Sequence, residues 1–442
     1  MSAENKKVAI VVSPNWRDYA KKYLSDCLES LRKQDFPGES KIFLIDNEST
    51  DESLALLNNI VETQKPSYPP LQGGQIVETH NPPYPQNPPS PLYQGGRVET
   101  HNHASIQIIR NKNNDGFAKG NNEAMKLALK QGFDYIVLFN MDTVVEKNCV
   151  SELVKAAESG EETPLAPLSK GGTNPPYPPF RKGAIGAVQA RLMLYPDKDR
   201  INSLGNVTHF LGFGYCEGYG EKYNPPNPPF EGGQENPPSP LYPADAKALA
   251  DKQGGEICYP SGAAVLFKAE VLKKVGLFDE KFWMYNEDQD LGWRIWLAGY
   301  KCVLAPEAVV YHKYEFAKSI QQYYWMDRNR MLSVIKNYHW LTLILITPAC
   351  LVMELGLLLF SLKTCWFKEK IRVWLYFLNL KTWKYLIKAR RQVQSLRQVK
   401  DRDIVKMFTG KIWYQEIDDP KLRLVNPIFD WYWRIVRKII IW

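Results

Sequence analysis

Paired cysteines are what this sequence most plainly lacks. Its 7 cysteines, at positions 27, 149, 216, 258, 302, 350 and 365, contain no C-x-x-C pair and no metal-ligand spacing. That excludes a zinc ribbon and a disulfide framework, and a dispersed odd set points to reduced thiols and a cytosolic face. No G-x-x-x-x-G-K-[ST] run occurs, which excludes a P-loop. The opening residues, MSAENKKVAIVVS, hold no apolar stretch long enough for a signal peptide before they read as a strand.

Positive charge is also scarce where a nucleic-acid binder would need it. The formal net charge is +8, yet residues 363–442 carry 19 Lys/Arg against 7 Asp/Glu, and the first 362 residues carry 37 against 41. Nucleic-acid binders concentrate their charge on the folded body. Here the excess follows an apolar segment, so the expected partner is a membrane surface and not nucleic acid.

Prolines are present but concentrated. Three stretches, about 64–104, 160–183 and 224–255, hold 23 of the 31 prolines and repeat one theme: NPPYPQNPPSPLYQGG, NPPYPPFRKG and NPPNPPFEGG. Such repeats cannot bury a core and read as insertions in surface loops. Their histidines, at 80, 101 and 103, are discounted as ligands. A partner-binding role for these loops, on a membrane-bound scaffold, is the non-enzymatic alternative.

With the insertions set aside, strands and helices alternate. Val8–Ser13, Lys41–Ile45, Ile106–Ile109 and Tyr135–Phe139 read as buried strands. Helices are expected over 18–34, from near Asp51, and over 118–131. That alternation predicts an α/β fold with a mostly parallel sheet flanked by helices. Residues 184–312 are more mixed, with short strands at 185–190, 263–267, 301–304 and 308–312 and a helix over 287–298. Residues 340–362 form an apolar run interrupted by Pro348 and Glu354, long enough to span a bilayer. A single crossing would export the basic tail against the positive-inside tendency. A hairpin or an in-plane association is therefore expected, with amphipathic segments such as 371–388 at the cytosolic interface. The division expected is a catalytic domain over 1–338 and a membrane-associated, helical and basic region over 339–442.

Four clusters carry candidate chemistry. Asp46-Asn-Glu-Ser-Thr-Asp51 follows the second strand, where Asp46 and Asn47 can meet a base or ribose, or simply cap a helix. Asn111-Lys-Asn-Asn-Asp-Gly-Phe-Ala-Lys-Gly-Asn-Asn122 turns into a helix N-terminus, a natural anion site. Within it Asn114, Gly116, Gly120 and Asn121 are candidate donor-binding positions. Asn140-Met-Asp142 ends the fourth strand, and Asp142 can hold a hard cation or cap a helix. Phe282-Trp-Met-Tyr-Asn-Glu-Asp-Gln-Asp-Leu-Gly-Trp-Arg294 sets Glu287, Asp288 and Asp290 at a helix start. The dipole there favours carboxylates. Trp283, Glu287, Asp290 and Arg294 are candidate pocket or acceptor residues, and a carboxylate in such a pocket can act as a general base.

In this order the motifs resemble the family 2 glycosyltransferases of the GT-A fold, in particular their rhamnosyltransferase-like branch. The matching residues are Asp46-Asn-x-Ser-x-Asp51, Asn114-x-Gly-Phe-Ala-x-Gly-Asn-Asn122, Asn140-Met-Asp142, Ser261-Gly-Ala-Ala264, Gly276-x-Phe-Asp279, Glu287-Asp-x-Asp-Leu291 and His312, with Arg328-Asn329-Arg330 beyond. The resemblance implies an inverting, single-sugar transfer from a nucleotide-sugar donor to a glycan or lipid-linked acceptor. It implies that Asp46 contacts the nucleotide and that Asp142 and His312 hold Mg²⁺ or Mn²⁺ on the diphosphate. It makes Asp288 the catalytic base. The sequence departs from the pattern in having one carboxylate in Asn140-Met-Asp142. No Q-x-x-R-W run follows the catalytic Asp, which speaks against a processive synthase. A nucleotidyltransferase would want a basic Gly-rich loop after the first strand, and Ser13-Pro-Asn-Trp16 does not supply one.

Overall fold

Residues along the central strands alternate between two apolar cores. In β1 (Lys7–Val12), Ala9 and Val11 enter one cluster while Val8, Ile10 and Val12 enter the other. In β2 (Glu39–Asp46), Phe43 and Ile45 are divided from Ile42 and Leu44 in the same way. A strand covered on both faces needs an apolar residue at every position. The continuous runs seen in the sequence are the result. The computed structural model describes residues 3–13, 20–49, 105–159, 183–223, 255–314, 320–412 and 420–442. The helix expected from near Asp51 and nearly all of the proline-rich stretches lie outside the described residues.

The remaining strands are β3 (Ser105–Arg110), β4 (Tyr135–Phe139), β5 (Thr143–Val145), β6 (Ile185–Leu194), β7 (Ile201–Ser203), β8 (Asn206–Thr208), β9 (Gly214–Cys216), β10 (Ala264–Lys268) and β11 (Lys301–His312). The large sheet runs β3-β2-β1-β4-β10-β6-β11-β5, with β7 beside β6. β3, β2, β1 and β4 are parallel, β10 is antiparallel to both β4 and β6, and β11 is again parallel to β6. Strands β1, β2, β4, β6 and β11 therefore all end at one edge. This is the α/β sheet the alternation predicts, mostly parallel and flanked by helices.

The 301–304 and 308–312 segments are one strand, not two. Pro306 has no amide to give the ladder, and the register against β6 shifts between Ala305 and Val309. The hairpin of β8 and β9 pairs only Asn206–Thr208 with Gly214–Cys216, too few residues to show an alternation in the sequence.

Helices α1 (Ser25–Arg32) and α3 (Cys149–Glu158) cover one face of the sheet, and α2 (Gly116–Lys130), α4 (Ala269–Val275) and α5 (Glu287–Leu297) cover the other. The chain continues through α6 (Ile320–Asn337), α7 (Trp340–Lys363), α8 (Phe367–Leu378), α9 (Leu380–Ser395), α10 (Asp401–Ile404) and α11 (Pro420–Ile439). The segment read as one amphipathic stretch over 371–388 breaks at Asn379, whose side chain accepts a hydrogen bond from the Lys381 amide at 2.9 Å and caps α9. The second core passes residue 338 without interruption. Ile346, Met353, Val393, Ile404, Phe429 and Trp433 share it with Phe267 and Leu291. Phe210 stacks on Trp433 at 4.7 Å. The described residues after 338 thus share a core with the sheet-bearing body.

Candidate active site

Ligands of an open α/β sheet collect at the carboxyl ends of its strands. Register aligns those ends here: Val12 faces both Leu44 and Phe139, so Ser13, Asp46 and Asn140 emerge side by side. The Asp46 carboxylate is buried, and its Oδ1 accepts from the Ser49 amide at 3.0 Å. Asn47 braces the neighbouring loop. Its Nδ2 donates to the Gly116 carbonyl at 3.1 Å and its Oδ1 accepts from Asn111 at 2.6 Å.

The Gly/Asn loop does not present an open helix N-terminus. Gly116 N donates to Asn114 Oδ1 at 3.2 Å, and Ala118 N donates to the Trp283 carbonyl at 3.0 Å. Gly116 sits at φ +81°, where a Cβ would lie 2.5 Å from that carbonyl, so only glycine fits. Gly120 is buried. Asn121 is fully buried, donating to the Phe117 carbonyl at 2.9 Å and accepting from Ser13 Oγ at 3.2 Å. Gly116, Gly120 and Asn121, expected as donor-binding positions, close the helix start and fix the end of β1 in this structure, and Asn114 is the exposed one of the four candidates in the loop.

Asp142 and His312 come together across the β5–β11 pair. His312 Nε2 lies 3.2 Å from Asp142 Oδ1, and both residues are buried. The other imidazole nitrogen, Nδ1, is 3.0 Å from Asn202 Oδ1. With Nδ1 donating to Asn202, Nε2 turns a lone pair toward the carboxylate. Two acceptors facing each other are satisfied by a cation or proton between them, and a second-shell partner on the far nitrogen is how a metal-binding histidine is held. The donor set of one carboxylate and one imidazole fits a divalent cation. No group of three His, Cys, Asp or Glu side chains suited to a metal occurs among the described residues. The rest of the coordination would fall to oxygens of a bound diphosphate and water, as suits Mg²⁺.

Asp288 stands at the start of α5, half-buried. Its Oδ2 accepts from the Gly262 amide at 3.1 Å and its Oδ1 from the Gln289 amide at 2.7 Å. One residue on, the Ala263 carbonyl accepts from Asn140 N at 3.0 Å. The carboxylate is therefore tied to the strand end that leads to Asp142. Burial pushes the Asp288 carboxyl up to about 6, against the pull of those amides. Glu287 beside it is buried, and its Oε2 has no hydrogen-bond partner among the described residues. Burial, and then the neighbouring Asp288 charge, raise its carboxyl well above the ordinary range.

The turn before Asp288 is strained. Trp283, Tyr285 and Asn286 have φ of 64°, 67° and 63°, in the left-handed region that costs a side-chain-bearing residue free energy. Asn329 on α6, fully buried, holds it. Its Nδ2 donates to the Phe282, Met284 and Tyr285 carbonyls at 2.9, 2.8 and 2.8 Å. Arg328 donates to the Lys281 and Phe282 carbonyls, and Trp283 stacks on Trp325 at 4.8 Å. Sequence reasoning gave Asn329 and Trp325 no role. The signals were the match of Arg328-Asn329-Arg330 to the family pattern and a run of polar residues, Asp327 to Arg330, in a helix that the fold buries.

Asp290 and Arg294, expected as pocket residues, are placed elsewhere. Arg294 Nε donates to Asp290 Oδ2 at 2.9 Å, and its other nitrogens donate to the Val275 and Leu277 carbonyls, both at 2.7 Å. Asp290 Oδ1 lies 3.0 Å from Lys336 Nζ and accepts from Asn337 at 3.0 Å. Both side chains are nearly inaccessible and lock α5 to α4 and α6. A charged residue with every partner supplied by the core is structural.

One edge of the sheet thus carries a buried carboxylate–imidazole pair and, near it, a carboxyl raised by burial. Comparison with known proteins gives the following likenesses. The model of the family described as Glycosyl transferase family 2 matches residues 98–216. An N-acetylglucosaminyl-diphospho-decaprenol L-rhamnosyltransferase of Mycobacterium tuberculosis is 44% identical over 52 residues, 12% of this chain and 17% of that protein. The match thus spans less than a fifth of the relative's length. Among solved structures, S. aureus TarS 1-349 in complex with UDP-GlcNAc has a TM-score of 0.41 at 14% identity, covering 98% of this chain and 90% of that one. GalNAc-T7 with UDP, GalNAc and Mn²⁺ has a TM-score of 0.45 at 14% identity, covering 76% and 48%. The resemblance to family 2 glycosyltransferases, with a rhamnosyltransferase among the relatives, holds.

Proposed function

We propose that this protein transfers a single sugar from a nucleotide-sugar donor to a hydroxyl of a glycan or lipid-linked acceptor, with inversion at the anomeric carbon. The observation that carries the reading is that the Gly262–Asp288 and Asn140–Ala263 hydrogen bonds tie Asp288 to the strand end that leads to the Asp142–His312 pair. Asp288 takes the proton of the acceptor hydroxyl as its oxygen attacks the anomeric carbon. The bond from that carbon to the nucleoside diphosphate breaks, and the diphosphate leaves with the electron pair. A carboxyl near 6 is deprotonated at neutral pH and still basic enough to assist. Burial and the Asp288 charge raise the Glu287 carboxyl, which makes Asp288 the readier of the two to carry the charge.

Asp142 and His312 would hold a divalent cation, Mg²⁺ or Mn²⁺, which when bound neutralises charge on the diphosphate. Asn202 keeps the His312 ring oriented, and Asp46 sits where a base or ribose would meet the strand ends. Trp283, stacked on Trp325, walls the acceptor side. The rhamnosyltransferase relative acts on a diphospho-decaprenol acceptor, which favours a deoxyhexose donor and a polyprenyl-linked acceptor in cell-surface polysaccharide synthesis.

The test is a screen of nucleotide sugars for hydrolysis, with Mg²⁺, with Mn²⁺ and with chelator. One donor should be turned over far faster than the others, and only with metal. Uniform inertness of every donor, with metal and polyprenyl acceptor present, would sink the proposal.

A further inference from the structure

Large apolar side chains exposed among the described residues, Tyr195 apart, all lie between Trp340 and Ile441. They are ordered by helical geometry. On α7, the buried residues Thr342, Ile346, Ala349, Met353 and Ser361 recur at helical spacing from one end to the other. The opposite face shows Ile344, Leu351, Leu355 and Leu362, each more than half exposed. On α11, Phe429, Trp433 and Val436 face inward while Ile428, Trp431 and Ile435 face out. The two helices adjoin: the Tyr432 hydroxyl donates to the Leu345 carbonyl, and Trp442 Nε1 donates to Thr342 Oγ1 at 2.9 Å.

Composition alone would let α7 cross a membrane, with a mean hydropathy of 2.4 over its most apolar window. Its packing argues otherwise. One stripe of α7, from Thr342 to Ser361, is covered by the rest of the chain, while most of the surface of this helix, about 36 Å long at the usual rise, is open. Its one acid is held there too. Glu354 accepts from Lys370 at 2.7 Å and from Trp374 Nε1 at 3.0 Å, and it pairs with Arg330. Lys370 also donates to Asp327 at 2.7 Å, which in turn accepts from Arg330. Drawing Glu354 into hydrocarbon would dismantle that buried cluster.

At the end of α11 the apolar face meets cations. Arg402, Lys406 and Arg437 line a concavity with Ile440 and Ile441. The acid beside them is Asp403, 2.9 Å from Lys406 and 3.6 Å from Arg402, so the rim stays positive. An apolar helix face bordered by cations fits the boundary between acyl chains and anionic headgroups.

We propose that the joined outer faces of α7 and α11 seat in one leaflet of an anionic phospholipid bilayer, with α7 lying in its plane and Arg402, Lys406 and Arg437 on headgroup phosphates. This is independent of the reaction assigned above. It leaves the helices after α7 on the same side of the membrane as the catalytic body.

Two measurements on the full chain test it. In flotation with vesicles of phosphatidylcholine containing phosphatidylglycerol, the wild type should bind. The triple variant R402Q/K406Q/R437Q should bind them roughly 100-fold more weakly, with little change on pure phosphatidylcholine. I428E/I435E should lose binding to both, with circular dichroism and melting retained to show a folded chain. In sealed membrane vesicles, exposed Cys365 directly after α7 should react with an impermeant maleimide on the side from which protease digests the body, in a C216S/C350S background. Reaction only from the opposite side, or only after detergent, overturns the in-plane seating. Equal binding to neutral and anionic vesicles overturns the headgroup role. Failure of the folded chain to bind any vesicle overturns the proposal outright and gives the face to a protein partner or a second copy.

Discussion

His312 Nε2 lies 3.2 Å from Asp142 Oδ1, although 170 residues separate them in the chain. The contact arises because β11 and β5 pair with His312 opposite Thr143, at the edge where β4 ends. A single carboxylate is thereby joined by an imidazole whose far side is anchored to Asn202.

Removing either member should weaken donor binding only when metal is present. Asp142→Ala and His312→Ala are expected to lower affinity for the nucleoside diphosphate of the donor found in the screen when Mn²⁺ is present, and Asn202→Ala to lower it by about 10–100-fold by loosening the His312 ring. Calorimetric titration of that nucleoside diphosphate with Mn²⁺ and with chelator checks this. Equal wild-type binding in both conditions would remove the metal role.

The Asn329 amide satisfies three carbonyls of a strained turn. Asn329→Ala leaves those carbonyls without that partner and should destabilise the protein by about 1–3 kcal/mol. It should also lower kcat more than nucleotide affinity, because the turn positions Asp288. Denaturant melts together with steady-state kinetics decide it.

Gly116→Ala meets two penalties at once, a φ of +81° and the Trp283 carbonyl 2.5 Å from the new Cβ. A loss of at least about 1–2 kcal/mol is expected from the backbone conformation alone. Thermal unfolding of the variant reads it, and an unchanged melting temperature would mean that the Trp283 turn is not seated on α2.

The Asp288 carboxyl, raised to about 6 by burial, gives both activity and stability a pH dependence. The base form is needed for transfer, so kcat/KM should rise with pH through about 6 and then level off. The folded state also binds this proton more tightly than the unfolded chain does. Asp288 therefore contributes stability at low pH, and that contribution is lost as pH rises from about 4 through about 6. Burial and the Asp288 charge raise the Glu287 carboxyl, so Glu287→Gln, an uncharged isostere, should leave the kinetic midpoint near its wild-type value. A midpoint near 4 in the wild type would show that Asp288 is not the titrating base.

Much of the fold was legible because buried parallel strands print their whole length as apolar residues, as Val8–Val12 and Tyr135–Phe139 do. The ends of those strands then announced Asp46, Asn140 and Asp142. What was not legible depends on partners far along the chain. Asp290 looks like Asp288 in sequence, and the positions of Arg294, and of Lys336 and Asn337 on α6, make Asp290 a core carboxylate. The roles of Gly116 and Asn329 are set by a turn at 283–286 whose left-handed residues carry ordinary side chains and give no local signal. The helix N-terminus read as an anion site is occupied by the carbonyl of Trp283, a residue 165 positions after Ala118.

The central claim is that Asp288 is the base of a glycosyl transfer, and Asp288→Asn tests it most directly. With the donor found in the screen, its rate of nucleoside diphosphate release should fall by about 10²–10⁴-fold, while nucleotide binding with Mn²⁺ stays at the wild-type level. Wild-type turnover by that variant, or a loss of binding that accounts for the whole loss of rate, would contradict it.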